Sequence, residues 1–279
     1  MKRLRTSRKS PAESVLRVVV LILALAVTLV PLLSLFASTF KPSYEFFSGS
    51  LLPQHWTTAN YAKAFSNGGL LPDLMHSVVV AVATTAASTV FGTLAAFGLS
   101  RLRSRWAILV TYGILAVRFY PKISGILPYY LMMRTFGLLD TIPAVIIADV
   151  SITLPVVVLV MMSFMDELPR ELMEAAAVDG CSIWQAFYRV ILPLIRPGLA
   201  TAAILTAMFS WNEFIYAATV TSTNAATLPV LISGFTSDQG TDLGQVAVVA
   251  TMIVIPIALF IVVTQRHLVR GLTLGAVKA

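Results

Sequence analysis

Charge is scarce in this chain and cysteine is almost absent. Of 279 residues, 12% are Asp, Glu, Lys or Arg. A soluble globular domain carries about a quarter. Too few charges remain to clothe a water-exposed surface, so lipid is the expected solvent. Cys181 is the single cysteine, which excludes intrachain disulfides and cysteine-based metal clusters. It falls in a polar stretch and reads as a small packed residue. His55, His76 and His267 are scattered without metal-ligand spacing, so no metal site is expected. No Gly-rich phosphate loop is present, so the chain is not expected to bind ATP itself.

Apolar residues, by contrast, make up 57% of the chain. Six apolar segments stand out, near Val18–Phe36, Val78–Leu99, Ala107–Met133, Ile142–Phe164, Leu199–Val220 and Val246–Val263. Each has the length of a membrane span, about 20 residues, and most hold almost no charge, as spanning helices require. The third is interrupted by Arg118, Pro121, Lys122 and Pro128, and reads as a kinked helix or two half-helices. The basic N-terminus with the first apolar run also resembles a signal peptide. The run is longer than a usual signal core and no clear cleavage site follows, so an uncleaved first span is expected. The polar tail to about Pro11 is expected to be mobile.

Lys and Arg set the orientation. Before span one, between spans two and three, between four and five, and after six lie fifteen of them. The other side holds only Lys41, Lys63 and Arg134. Both termini are therefore expected in the cytoplasm, with outward loops at residues 37–77, 134–141 and 221–245. The net charge of +7 is thus spent on topology rather than on nucleic acid.

Residues 166–197 form the one sizeable polar insertion on the inner side. Pro169 suits a first helical turn, and Glu171 and Glu174 suit the positive end of that helix. Gly180 suits a left-handed stop. Ser182 and Gln185 have the spacing of a capping box that starts a second helix. Pro193 then interrupts the approach to span five. Ala175, Ala176 and Ala177 keep the first helix slim enough for a partner to approach closely. A plain solvated connector fits the same composition. A DNA-reading helix-turn-helix does not. Asp166, Glu167, Glu171, Glu174 and Asp179 outnumber three arginines, and a groove reader needs cationic excess.

Glu174-Ala175-Ala176, Gly180, then Leu192-Pro193 with Val190 at an Ile position, follow E-A-A-x3-G-x9-I-x-L-P. This pattern resembles that of permease subunits of binding-protein-dependent ABC importers. Phe40-Lys-Pro42, Asn60-Tyr61, Pro128-Tyr129 with Gly137-Leu-Leu139, Trp211-Asn-Glu-Phe214 and Arg270-Gly-Leu-Thr-Leu-Gly-Ala-Val-Lys278 resemble motifs of carbohydrate-uptake permeases of the maltose-permease type, in their six-span partner. His76-Ser77 stands where Asn-Ser is usual, and Ala279 where Gly is frequent.

That resemblance implies an all-α integral membrane protein with six transmembrane helices in the type I ABC importer permease fold. Its parts would be a cytoplasmic tail (1–14), a first span (15–40) packing on a partner permease, a core (77–264) and a second tail (265–279). Glu174, Ala175, Ala176, Asp179, Gly180, Leu192 and Pro193 would belong to the coupling helix in an ATPase cleft. Gly271, Gly275 and Lys278 would let an extended tail contact the ATPase dimer, although Arg266 and Arg270 also suit a lipid-headgroup anchor. The 221–245 loop would reach toward the solute-binding protein. ATP and Mg would be bound by partner subunits, with no cofactor in this chain. The partners would be a second permease, an ATPase dimer, an extracytoplasmic sugar-binding protein and lipid, in a bacterial inner membrane.

Charges in apolar spans are costly and face a cavity or a partner. Arg118, Lys122, Asp149 and Glu213 permit three readings. One is structural pairing, for example Asp149 with Arg118 or Lys122. Another is a polar solute path with Tyr120, Tyr129, Asp149, Trp211, Asn212 and Glu213. The last is a secondary transporter coupled through Asp149 and Glu213. A non-transporting membrane scaffold is a further alternative. The identity of the solute is not written in the chain.

Overall fold

The computed structural model describes residues 11–66, 69–102, 105–237 and 240–274. Helices dominate, and the described residues within Met1–Asn67 and Phe235–Met252 form one unit. Those within Gly68–Gly234 and Ile253–Ala279 form another.

The first unit begins with α1 (Pro11–Ser38), whose apolar side chains are exposed along its membrane-length stretch. Beyond it the chain folds into a polar capsule that ends in α2 (Ala59–Ser66). Buried Asn60 donates from Nδ2 to the Thr39 and Lys41 carbonyls, both at 2.9 Å. Tyr61 donates to Thr39 Oγ1 at 3.1 Å, and its ring packs on Phe40. Two of the sequence motifs, around Phe40 and Asn60, thus meet here. A two-stranded hairpin, β1 (Thr236–Ser237) with β2 (Gly240–Thr241), also belongs to this unit. So does the first part of a long helix that runs Leu243–Leu274.

The second unit is built on three helices: α3 (Leu70–Arg101), α6 (Ile142–Asp166) and α10 (Arg196–Trp211), all packed on one another. α3 and α6 approach closely at Gly92, where any Cβ would meet Val157 at 2.7 Å. Small residues allow this in lipid, where packing and hydrogen bonds drive helix association. One turn away, Ser88 and Thr153 share a hydrogen bond of 2.7 Å. Two apolar cores result. One gathers Phe97, Val157, Met161, Phe187, Ile191 and Ile195. The other gathers Val80, Met133, Ala144, Val145, Ala217 and Val220.

The third apolar segment is two helices, α4 (Arg105–Phe119) and α5 (Lys122–Thr135), parted at Tyr120–Pro121. Proline at 121 has no N–H to continue the ladder. Each half is then shorter than a crossing helix. The fifth segment also divides, into α10 and α11 (Ile215–Val220). Four described helices are therefore long and apolar enough to cross a membrane: Glu13–Ser38, Leu70–Arg101, Ile142–Asp166 and Leu243–Gln265. A bent pair, Ile183–Leu194 with Arg196–Trp211 at 76°, raises this to five. The expected N-terminal tail lies largely outside the described residues, and helix α1 already begins at Pro11. At the other end Gly271 is helical rather than extended, while Gly275 and Lys278 lie outside the described residues.

Candidate functional site

The polar insertion folds as the sequence predicts, with one shift. α7 (Glu171–Val178) starts after Pro169 rather than on it. It stops at Gly180, φ +75°. Cys181 N donates to Ala176 O at 2.9 Å and Gly180 N to Ala177 O at 3.1 Å. This double bond pattern closes a helix on a left-handed residue. Ser182 Oγ accepts from Gln185 N at 3.3 Å, and Gln185 Oε1 accepts from Ser182 N at 2.9 Å. The capping box thus starts α8 (Ile183–Ala186). A π-helical turn, Phe187–Ile191, follows, then α9 (Leu192–Leu194). The break toward α10 falls at Ile195, just past Pro193.

The insertion has two faces. Ala176, Ala186, Phe187 and Ile191 are buried, with the Phe187 and Phe97 rings 4.7 Å apart. This face roots the hairpin on α3 and α6. Ala176 therefore points inward, while Glu174, Ala175, Asp179 and Gly180 are exposed and Leu192 and Pro193 half-buried. The outer face carries Val178, Ile183, Trp184 and Tyr188, with Val178 89% exposed. Trp184 and Tyr188 stack at 6.3 Å. Apolar side chains displayed on a polar hairpin mark an interaction surface. The motif drew attention to Glu174 and Gly180 and away from these four, although their apolarity within a polar segment was visible.

The intramembrane polar residues divide into two sets. Asp149 is 1% exposed and accepts a hydrogen bond from Ser210 Oγ. That serine is its hydrogen-bond partner, and no ion pair with Arg118 or Lys122 forms among the described residues. Arg118 instead stands over the Phe209 ring at 5.1 Å. Glu213 is buried and accepts from the Tyr216 and Ala217 amides at 3.1–3.3 Å, so it caps α11. This turn explains why α10 ends at Trp211. Tyr129 donates to Ala144 O at 2.5 Å and meets Tyr216 edge-on at 5.3 Å. Trp211 donates to Ile253 O at 3.2 Å. Asn212 bonds Met208 O at 2.8 Å and is exposed, as is Tyr120. Tyr129, Asp149, Trp211 and Glu213 are thus engaged in helix ties, and Tyr120 and Asn212 are open. A groove of about 690 Å³ lies between α3, α10 and the last helix. Its lining includes Val82, Ala86, Ala203, Ala207, Pro256 and Phe260. Such a wall offers a sugar almost nothing to hydrogen-bond. No group of three or more His, Cys, Asp or Glu converges for a metal among the described residues.

The loop after α11 is not a free arm over its first half. Ala225, Ala226, Thr227 and Leu228 are buried. Leu228 N donates to Ser77 Oγ at 2.8 Å, and His76 Nδ1 lies 3.0 Å from Ala226 O. His76-Ser77, the sequence departure, is therefore the dock for this segment.

Residues 88–274 match the family described as binding-protein-dependent transport system inner membrane component. The trehalose transport system permease protein SugB of Mycobacterium tuberculosis is 36% identical, covering 92% of this chain and 94% of its own. The diacetylchitobiose uptake system permease protein NgcG of Streptomyces coelicolor is 32% identical, covering 91% and 86%. A crystallised bacterial ABC transporter involved in alginate import superposes with a TM-score of 0.77, at 21% identity, over 95% of this chain and 99% of that one. The rooted hairpin, the membrane-length helices and these likenesses agree: the chain belongs to the inner membrane components of binding-protein-dependent transport systems.

Proposed function

We propose that this chain is a permease subunit of an ATP-driven importer and forms half of the translocation path for a carbohydrate. An extracytoplasmic binding protein delivers the solute, and a second permease and an ATPase dimer complete the machine. Relatives named for trehalose, diacetylchitobiose and sulfoquinovosyl glycerol transport support a sugar or sugar derivative. ATP and Mg belong to the ATPase partners, and this chain makes no covalent bond. The reading includes six crossings, with α4 and α5 sharing the third and α10 and α11 the fifth. Both termini and the 166–197 hairpin then face the cytoplasm.

The observation that carries the proposal is the two-faced hairpin. Its buried face joins the α3–α6 core, and its exposed Val178, Ile183, Trp184 and Tyr188 suit a cleft in the ATPase. Movement of that cleft is passed to the spans through Phe187 and Ile191. Glu174 supplies a polar contact at the cleft and Gly180 the turn. The helical end through Gly271, with Gly275 and Lys278 beyond it, makes a second contact. Glu213 serves as scaffold, since both its oxygens hold α11. That use argues against a secondary transporter that cycles protons through it.

The test is purification of the tagged chain from its own membranes, followed by reconstitution in liposomes. A second permease and an ATPase should co-purify. Labelled trehalose and related sugars should enter only with ATP and the binding protein. Accumulation by this chain alone would refute the proposal.

A further inference from the structure

The turn between α5 and α6 carries an unusual residue. Asp140 is the one non-glycine with positive φ, +58°, among the described residues. Left-handed backbone is costly for most side chains, and Asp and Asn tolerate it best. Such strain persists only where the surroundings enforce it. Here they do. The Asp140 carboxylate accepts from three successive amides, Ser222 at 2.9 Å, Thr223 at 3.2 Å and Asn224 at 3.1 Å. It also accepts from Ser222 Oγ at 2.9 Å, Thr223 Oγ1 at 3.3 Å and Asn224 Nδ2 at 2.8 Å. The Asp140 amide in turn donates to Val220 O at 2.7 Å. One side chain thus gathers six donors from the segment that leaves α11. Partial burial works to raise its pKa, but the Ser222 and Asn224 amides and their neighbours hold the carboxyl well below its usual range.

We propose that Asp140 is a positioning residue that pre-orders Ser222–Asn224 for docking of the solute-binding protein. This rests on the function proposed above. Ser222, Thr223 and Asn224 are exposed and polar, whereas Ala225–Leu228 just beyond are buried. An exposed tripeptide without packing of its own would be loose. The carboxylate fixes all three of its amides before any partner arrives. Binding then need not supply the ordering, which is how preorganisation raises affinity. The family itself is defined by dependence on a binding protein.

Asp140→Asn separates the carboxylate from the backbone, because Asn accepts the same left-handed turn but has one oxygen fewer. Asp140→Ala removes both acceptors. The assay is ATP hydrolysis by the complete complex in lipid nanodiscs, titrated with its own purified solute-binding protein. The Asn variant should raise the half-saturating concentration of binding protein by about tenfold, with the maximal rate within about twofold. The Ala variant should raise it further. Amide exchange at Ser222–Asn224 should quicken in both. An unchanged half-saturation, a fall in maximal rate alone, or a lowered melting temperature with unaltered kinetics would each overturn the proposal. Should the wild-type complex hydrolyse no ATP, the transport reading fails. Unchanged exchange at the three amides would still defeat the Asp140 clamp by itself.

Discussion

The hairpin at 166–197 and the segment at 221–233 are both polar connectors between apolar helices, yet they are built in opposite ways. The hairpin is secured through its own internal caps and one buried face, and it leaves Val178 and Trp184 bare. The outer segment hides its small apolar residues and is tied down by Ser77, His76 and Asp140 from other elements. Exposure of apolar surface costs free energy unless a partner covers it. In the function proposed above, the ATPase is the partner that covers the hairpin's bare face. The outer segment is completed by other elements of this same chain and leaves only a short polar edge, Ser222–Asn224, exposed.

The largest test of this contrast removes the bare apolar surface. Trp184→Ala combined with Val178→Asp should weaken retention of the ATPase by at least about 2 kcal/mol, or roughly thirtyfold, as for a central aromatic anchor. Quantitative pull-down from detergent measures it. The second permease should stay bound. Full retention of the ATPase would mean the exposed face is incidental, and the contrast would collapse.

On the outer side, Ser77→Ala leaves the buried Leu228 N–H without its acceptor. An orphaned buried donor costs about 1–3 kcal/mol. The purified chain should melt lower, and proteolysis should open near 221–228 with ATPase retention unchanged. A melting point equal to wild type would show that a different acceptor takes over.

Gly180 tests the hairpin from within. A Cβ there meets nothing within 4 Å, so only the backbone objects, at φ +75°. Gly180→Ala should cost about 1–2 kcal/mol, Gly180→Val more, and Gly180→Asn less. Sugar imported per ATP hydrolysed should fall in that same order of severity. Normal coupling in the valine variant would argue that the turn is not transmitting force.

Much of this was legible because it is local. Gly180 and the Ser182/Gln185 pair act within a few residues, so spacing alone announces them. The long spans were legible from apolar run length. What stayed hidden is what depends on distant partners. Asp149 was offered Arg118 or Lys122 by charge, but Ser210 reaches it from another helix. Asp140 showed nothing in a strand of ordinary turn residues, because its donors lie more than 80 positions away. The outer loop is rich in Thr, Ser and Gly, which gives no sign that its first half packs down. Ser77 and His76 bury it, and composition does not record that. Glu213 read as a costly membrane charge open to pairing, a solute path or ion coupling, yet the amides of the next helical turn satisfy it.

The finest probe of the contrast is Ser182→Ala. If the hairpin is self-sufficient, its capping box should carry a measurable share of its order. Loss of the hydroxyl leaves the Gln185 amide without its side-chain acceptor, at a cost of about 1 kcal/mol. The reciprocal bond from the backbone N–H of residue 182 to Gln185 Oε1 survives in the alanine variant, so only the hydroxyl half of the box is tested. Ser182→Asp keeps an acceptor at the cap and should restore most of the loss. Amide exchange at Gln185 and Ala186 reads this directly. The exchange at Leu228 should not change, since nothing in the hairpin's caps reaches the outer segment. Faster exchange at both places would mean that the two connectors share one stability, and the division between a self-capped inner hairpin and an externally tied outer segment would have to be abandoned.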